Sequence, residues 1–494
     1  MTSHPLHQGS TSNIMTSLPF LLLLALALVL GFLKRSRASA QKGEKASRFS
    51  SPTLKAEKGM LSKEGSVAKT SRSTRTEQDF IPRPQPSPTL TPENLHLHSA
   101  RDHIYANKAI RYPYHQTMAH QPMLPENWIE PDLHYRYDLE FKRKVIHDQG
   151  KVVLDIVEQD DVRLGCQELM LRLSDWLSQR YPNLFQLTPL EKEVEGEESL
   201  GEGIWNKVTD ERLCFYLDDQ VEDDHEGGAQ GGKATSGGKR RRLKDGVEAL
   251  KVVSRLVQDD FLIASPKGDG SWICAGGLVA FPGFYLLSEK INTSLFQTHA
   301  PVPQFNEKIL KSVERTLTRL EPSKPIERTS WELVDDEFDL FWVPMAGPLP
   351  TSSGARRTTP KHHTGRDRDA TKFEDPSQLI LRLDHQTFVK MPKSGIVFFG
   401  VHPMRRKLEE LENSPLLPAL LVKVHEEAPK DLMDYKAAPL YSESVLPYLR
   451  ELHRRQIERG LIKGDERVQD FRSYAKDVPG FVATPLPSPS STTA

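Results

Sequence analysis

The chain is 494 residues long, with 66 basic and 67 acidic side chains and a hydrophobic content of 37%. That content falls below the ~45–50% usual for globular chains, so part of the length is not packed. The near-neutral charge argues against nucleic-acid binding by the molecule as a whole. Three cysteines, Cys166, Cys214 and Cys274, are too few and too scattered for a disulfide framework or a four-cysteine zinc site, and they suit a reducing compartment.

A short tail, residues 1–17, precedes an apolar segment at 18–34 whose uncharged run, Leu18 to Leu33, is interrupted only by Pro19 and Gly31. With Met15–Ser17 it approaches the ~17–25 residues of a membrane-spanning helix. A cleaved signal peptide is the alternative, with Ala38-Ser39-Ala40 as its cleavage site. No Lys or Arg precedes the run, however, and Lys34, Arg35 and Arg37 follow it at once, which disfavours processing. The same asymmetry places the N-terminus outside or in a lumen and the main domain in the cytoplasm, by the positive-inside rule. A single anchor in a lipid bilayer is the expectation.

Residues 35–100 read as a disordered linker. Between 34 and 80 there are twelve Lys/Arg against five Asp/Glu and almost no large apolar residues, too little apolar surface to offset chain entropy. This basic stretch reads as a solvated linker, or as a site for anionic headgroups, and Pro82, Pro84, Pro86, Pro88 and Pro92 extend it.

The folded part is expected over 101–480, with low-complexity inserts at 219–242 and 346–370 and a disordered tail at 481–494. Val162, Cys166, Leu169, Leu173, Trp176 and Leu177 share one face of a helix over Asp161–Arg180. Phe261–Ala264 and Trp272–Phe281 flank a Gly268-Asp269-Gly270 turn and read as an antiparallel hairpin. Phe305, Ile309, Val313, Leu317 and Leu320 mark a helix over Phe305–Leu320. Strands are expected at Arg328–Val334, Leu379–Leu383 and Gly395–Val401, and helices at Leu416–His425 and Val445–Leu461. Hairpin-joined strands with helices around them make an α+β domain with a mainly antiparallel sheet.

Common catalytic signatures are missing. Gly227–Thr235 reads GGAQGGKAT, which lacks both the hydroxyl residue after the lysine and the strand and helix that a phosphate loop requires. No GxSxG, HExxH, CxxC or CxxCH occurs.

The specific blocks lie elsewhere: Leu256-Val257-Gln258-Asp259-Asp260, Gly276-Gly277 with Phe281-Pro282, His299-Ala300-Pro301-Val302-Pro303, and Arg328-x-x-Trp331. Upstream stands Pro125-Glu126-Asn127-Trp128-Ile129-Glu130 with Tyr135, and downstream Arg382-x-Asp384-His385-Gln386-Thr387 followed by Pro392-x-Ser394-Gly395. Together, over about 110–465, they resemble the haem-dependent oxidative N-demethylase-like family, here as a fungal-type, membrane-anchored member. The resemblance implies a PAS-like antiparallel sheet holding haem b and the oxidation of a small alkylated amine. It also implies electrons from a separate flavin and iron–sulfur reductase, since three cysteines cannot ligate such a cluster alone.

Within that resemblance His299 is the first candidate iron ligand, on a backbone fixed by Pro301 and Pro303, with Val279, Phe281, Phe284 and Phe296 as an apolar wall. The plain alternative is a loop histidine bonded to a backbone carbonyl. His385 is the runner-up, standing where the family pattern has Arg. Arg328 and Arg382 are candidates for the haem propionates, since guanidinium matches carboxylate in two-pronged fashion. Structural pairs with Asp384 or Glu332 are the alternative. Trp272 and Trp331 read as core, Asp259 and Asp260 as turn residues before substrate contacts, and Lys290 carries no role. The leading functional expectation is a membrane-anchored haem oxidoreductase of the N-demethylase type. A haem or ligand sensor without turnover and a cofactor-free scaffold are the other classes.

Overall fold

The computed structural model describes residues 83–101, 104, 110–189, 200–217, 242–283, 285–334 and 375–477. The expected anchor at 18–34, the basic stretch at 34–80, the insert at 346–370, nearly all of the insert at 219–242 and the tail lie outside those residues. Among the described residues no helix is long and apolar enough to cross a membrane.

In chain order the elements are β1 (Gln121–Pro122), α1 (Tyr135–Gln149), β2 (Leu154–Ile156), α2 (Asp160–Arg180), β3 (Phe185–Thr188), β4 (Gly203–Asn206), β5 (Glu211–Cys214), α3 (Gly246–Ser254), β6 (Asp260–Pro266) and β7 (Trp272–Leu278). Then come α4 (Leu287–Lys290), β8 (Thr293–Ser294), α5 (Leu295–Thr298), α6 (Phe305–Lys308), α7 (Leu310–Arg319), β9 (Ile326–Val334), β10 (Ile380–Lys390), β11 (Val397–Lys407), α8 (Leu417–Glu427), α9 (Lys430–Tyr435) and α10 (Ala438–Glu458). The main sheet runs β1-β9-β10-β11-β6-β7-β2 with β8 on β7, and its pairings are antiparallel. A second sheet has the order β3-β4-β5. This is the expected mix of helices and antiparallel sheet.

Strands β10 and β11 form the central hairpin, paired without a break from Ile380 opposite Lys407 to Lys390 opposite Val397. Its turn is pinned from α2, where the Glu168 carboxylate accepts the amides of Lys393 (2.8 Å) and Ser394 (2.9 Å). Gly395 takes a left-handed φ of 73° there, and the Pro-x-Ser-Gly block is this turn.

Strand alternation gives the sheet two different faces. One carries Trp331, Leu333, Leu381 and Leu383, packed with Leu417, Leu420 and Leu421 of α8 and Tyr441 and Val445 of α10. The other carries Arg328, Gln386, Phe388 and Val397, and α7 packs there through Val313 and Leu317.

Four expectations are corrected. Residues 83–100 are packed rather than linker: Leu90 and Leu95 join the core cluster, and the Ser87 amide donates to the Arg180 carbonyl at 2.7 Å. The Phe305–Leu320 helix is two helices, because Ile309 (φ −125°) breaks it. Strand β10 runs seven residues beyond Leu383, since polar His385 and Thr387 are also buried. Helix α10 begins at Ala438, not Val445, and tolerates Pro447 in its interior.

Candidate functional site

Between the sheet face of Arg328 and helices α4 to α7 lies a cavity of about 540 Å³. Leu262, Phe388 and Phe399 supply its apolar floor from three adjacent strands, and Val313 and Leu317 close it from α7. That size and mostly apolar lining, with a few convergent polar groups, is the usual form of a small-molecule or cofactor site.

His299 stands at the end of α5 and lines this cavity. Helix α5 is fixed by a capping box, in which Ser294 accepts the Gln297 amide (3.2 Å) and the Gln297 side chain accepts the Ser294 amide (3.0 Å). The His299 Nδ1–H donates to the Leu295 carbonyl at 2.9 Å. Because a carbonyl only accepts, the proton sits on Nδ1 and Nε2 carries the lone pair. The ring lies flat on Phe305, with centroids 3.8 Å apart and planes 5° apart. Burial, with Lys290 and Arg328 adding to it, pushes the imidazole down to about 4, so it is neutral at physiological pH. A neutral imidazole, oriented by a bond at its other nitrogen, is what a metal ion needs from histidine. The carbonyl bond of the plain alternative is present.

Arg328 enters the same cavity from β9, opposite Gln386 on β10. Among the described residues no hydrogen bond or ion pair engages its guanidinium, and Nε is buried without a partner. Burial pulls it down to about 10, leaving a desolvated cation that calls for an acidic ligand group. Lys290, without a role in the sequence, also lines the cavity and donates to the Thr298 carbonyl at 2.5 Å.

The other two candidates lie elsewhere. Arg382 is on the cavity face of β10 but four positions along, where Nε donates to Asp384 (2.8 Å) and lies 3.5 Å from Glu332, and Nη2 donates to the Phe281 carbonyl (2.8 Å). His385 points to the opposite face, by strand alternation, and bonds Glu327 (Nε2 to Oε2, 2.9 Å) with Glu130 at 3.7 Å. Arg101 completes that group, 3.2 Å from Glu327. Neither side chain lines the cavity.

The expected wall is also corrected. Val279 and Phe281 are buried outside the cavity lining, Phe296 is 57% exposed, and Phe284 lies outside the described residues. Asp259 and Asp260 are neither turn caps nor cavity residues: Asp259 faces His402 (3.2 Å) and Asp260 faces Lys142 (3.5 Å). Trp272 and Trp331 are core, as expected. The sequence reading missed Gln386, Tyr285 and Tyr435 as lining residues. The first sits in a quoted block, whereas the two tyrosines carry no motif. No cluster of three or more metal-binding side chains occurs among the described residues.

Compared with protein-family models, residues 119–446 match the one described as haem-dependent oxidative N-demethylase, alpha subunit-like. That span covers 328 of the 494 residues and includes His299, Arg328 and the whole central hairpin.

Proposed function

The chain belongs to the haem-dependent oxidative N-demethylase, alpha subunit-like family, and from that premise we propose that its cavity holds haem b for the oxidation of a small alkylated amine. The observation that carries this reading is the pairing of a neutral His299, bonded through Nδ1 alone among the described residues, with an Arg328 that no described residue pairs, in one apolar cavity. His299 would hold the iron through Nε2, and Arg328 would pair with the carboxylates of the haem. On this reading the sheet is PAS-like, used as a cofactor cradle.

The haem, when bound, supplies the electron and dioxygen chemistry that no side chain provides. In balance, dioxygen, two electrons and two protons turn an N-methyl amine into the demethylated amine, formaldehyde and water. The chain's own residues set the conditions. The Leu295 carbonyl increases the basicity of the His299 ring, and Phe305 holds its plane. Leu262, Phe388 and Phe399 keep water from the reacting carbon. Gln386 donates Nε2–H to Ser330 at 2.9 Å and keeps its carbonyl oxygen to accept an amine N–H.

Electrons come from a separate flavin and iron–sulfur reductase, and residues 18–34 anchor the chain in a bilayer with its folded part on the cytoplasmic side. Release of one formaldehyde per demethylated amine, from the haem-loaded chain supplied with reductase and dioxygen, is the expected result. A haem-loaded chain that consumes reductant but demethylates no alkylamine would overturn the activity.

A further inference from the structure

Next to the cavity, on the same sheet face, the ion cluster around Arg382 holds more carboxylates than cations. Lys142 lies 3.5 Å from Asp260, whose other oxygen accepts the Phe281 amide at 2.6 Å. The Phe281 carbonyl in turn accepts from Arg382. Arg382 gives Nε to Asp384 at 2.8 Å and stands only at 3.5 Å from Glu332. Lys142 and Arg382 therefore serve three acids, Asp260, Asp384 and Glu332.

Among the described residues Asp260 Oδ1 and Glu332 Oε1 are both buried without a hydrogen bond, and burial raises both acids. Asp260 is opposed by Lys142 at 3.5 Å and by the amide of Phe281 at its other oxygen, whereas Glu332 has Arg382 at 3.5 Å, which it shares with Asp384, and is the less compensated acid. Gly283 backs it, a Cβ there standing 3.5 Å from both carboxylate oxygens, so no side-chain donor comes from that side. Lys436 contributes a favourable field, but its ammonium donates to the Trp331 carbonyl and lies 4.3 Å over the indole. Tyr435, which lines the cavity, and Tyr441 both feel the Glu332 charge, which adds to the rise that burial causes in their phenols. A buried carboxyl with no full counter-charge keeps its proton. Burial drives Glu332 up to about 7, Arg382 opposing and Asp384 reinforcing.

We propose that Glu332 holds the surplus proton of this cluster and is the proton reserve for the chemistry of the neighbouring cavity. The step moves no electrons: the carboxyl O–H bond breaks, the proton passes to an oxygen or nitrogen base in the cavity, and the carboxylate regains a proton from water. The role rests on the proposed oxidation in the cavity, whereas the location of the proton does not.

Infrared spectra of the ligand-free chain test the location. A protonated-carboxyl carbonyl band that titrates about neutrality should fall more than about tenfold between about pH 6 and pH 8.5, and that titrating band should be missing in Glu332→Gln. In Asp384→Asn, Arg382 is left to Glu332 alone, so the band should be lost at about pH 6 as well. Persistence of the band in Glu332→Gln, or in a folded Asp384→Asn, would overturn the assignment. In the haem-loaded chain, formaldehyde release should decline as pH rises through neutrality, and Glu332→Gln should be severalfold slower with that decline abolished. An unchanged profile would overturn the role. A correct band in a chain that takes up no haem would overturn the reading of the cavity while leaving the proton on Glu332.

Discussion

Arg328 and Arg382 stand on neighbouring strands of one sheet face, four register positions apart, since Arg382 lies opposite Glu332 and Arg328 opposite Gln386. At the Arg382 end the guanidinium is 2% exposed and engaged by two carboxylates and the Phe281 carbonyl. Burial alone would lower its pKa, but Asp384 and Glu332 raise it above the ordinary arginine value. At the Arg328 end, among the described residues, no ion pair or hydrogen bond engages the same group and burial prevails. A cation kept desolvated without compensation costs stability, and such sites persist where a ligand completes them. One end of the face is closed by its own ion pairs, and the other opens on the cavity.

The same substitution at the two ends should break this symmetry most sharply. Arg382→Met leaves Asp384 and Glu332 buried without their cation and should cost about 3–5 kcal/mol in urea unfolding. The next effect is on pH dependence. Against burial, His385, hydrogen-bonded to Glu327, and His402, 3.5 Å from Asp132, bring Glu327 and Asp132 each down to about 2. Their contributions, on the order of 2–3 kcal/mol each, are present above the unfolded carboxylate range and are lost as pH falls from about 4.5 toward 2. Against burial, Asp259 and Asp132 raise His402 to about 10. Its contribution is complete below about pH 6.5 and disappears as pH rises toward 10. The melting temperature should therefore decline as pH falls below about 4.5, and the decline above about pH 7 should be flattened in His402→Gln.

Smaller effects come from the cavity itself. His299→Ala removes one carbonyl bond and one ring stack and should cost about 1–2 kcal/mol in the ligand-free chain. Arg328→Met should be the mildest, within about 1 kcal/mol of the parent or more stable, because it removes a buried charge that no ion pair compensates among the described residues. Equal losses from Arg328→Met and Arg382→Met would erase the distinction between the two ends.

Much of the fold was legible because apolar periodicity follows burial in helix α2 and in the β6–β7 hairpin. It failed where polar residues occupy core positions. Helix α1 went unread because its buried face includes Asp138 and Lys142 beside Tyr135, Leu139 and Val145. Lys142 is held there by the carbonyls of Val257, Gln258 and Asp259, a compensation that no local window displays. The sheet of β3, β4 and β5 escaped for a related reason, with strands of four residues that include Glu211 and Arg212. At the site, His299 and Arg328 stand in readable blocks, but what separates Arg328 from Arg382 is register against β9. Strand alternation likewise decides His385, which adjoins Gln386 in sequence yet faces away from the cavity.

The central claim is that the cavity binds haem through His299. Titration of the purified chain with haemin, followed by the Soret absorbance, tests it directly. The parent chain and His385→Ala should both develop a saturable band at one haem per chain, while folded His299→Ala should lose or shift it. An unchanged band in His299→Ala, or none in the parent chain, would contradict the account.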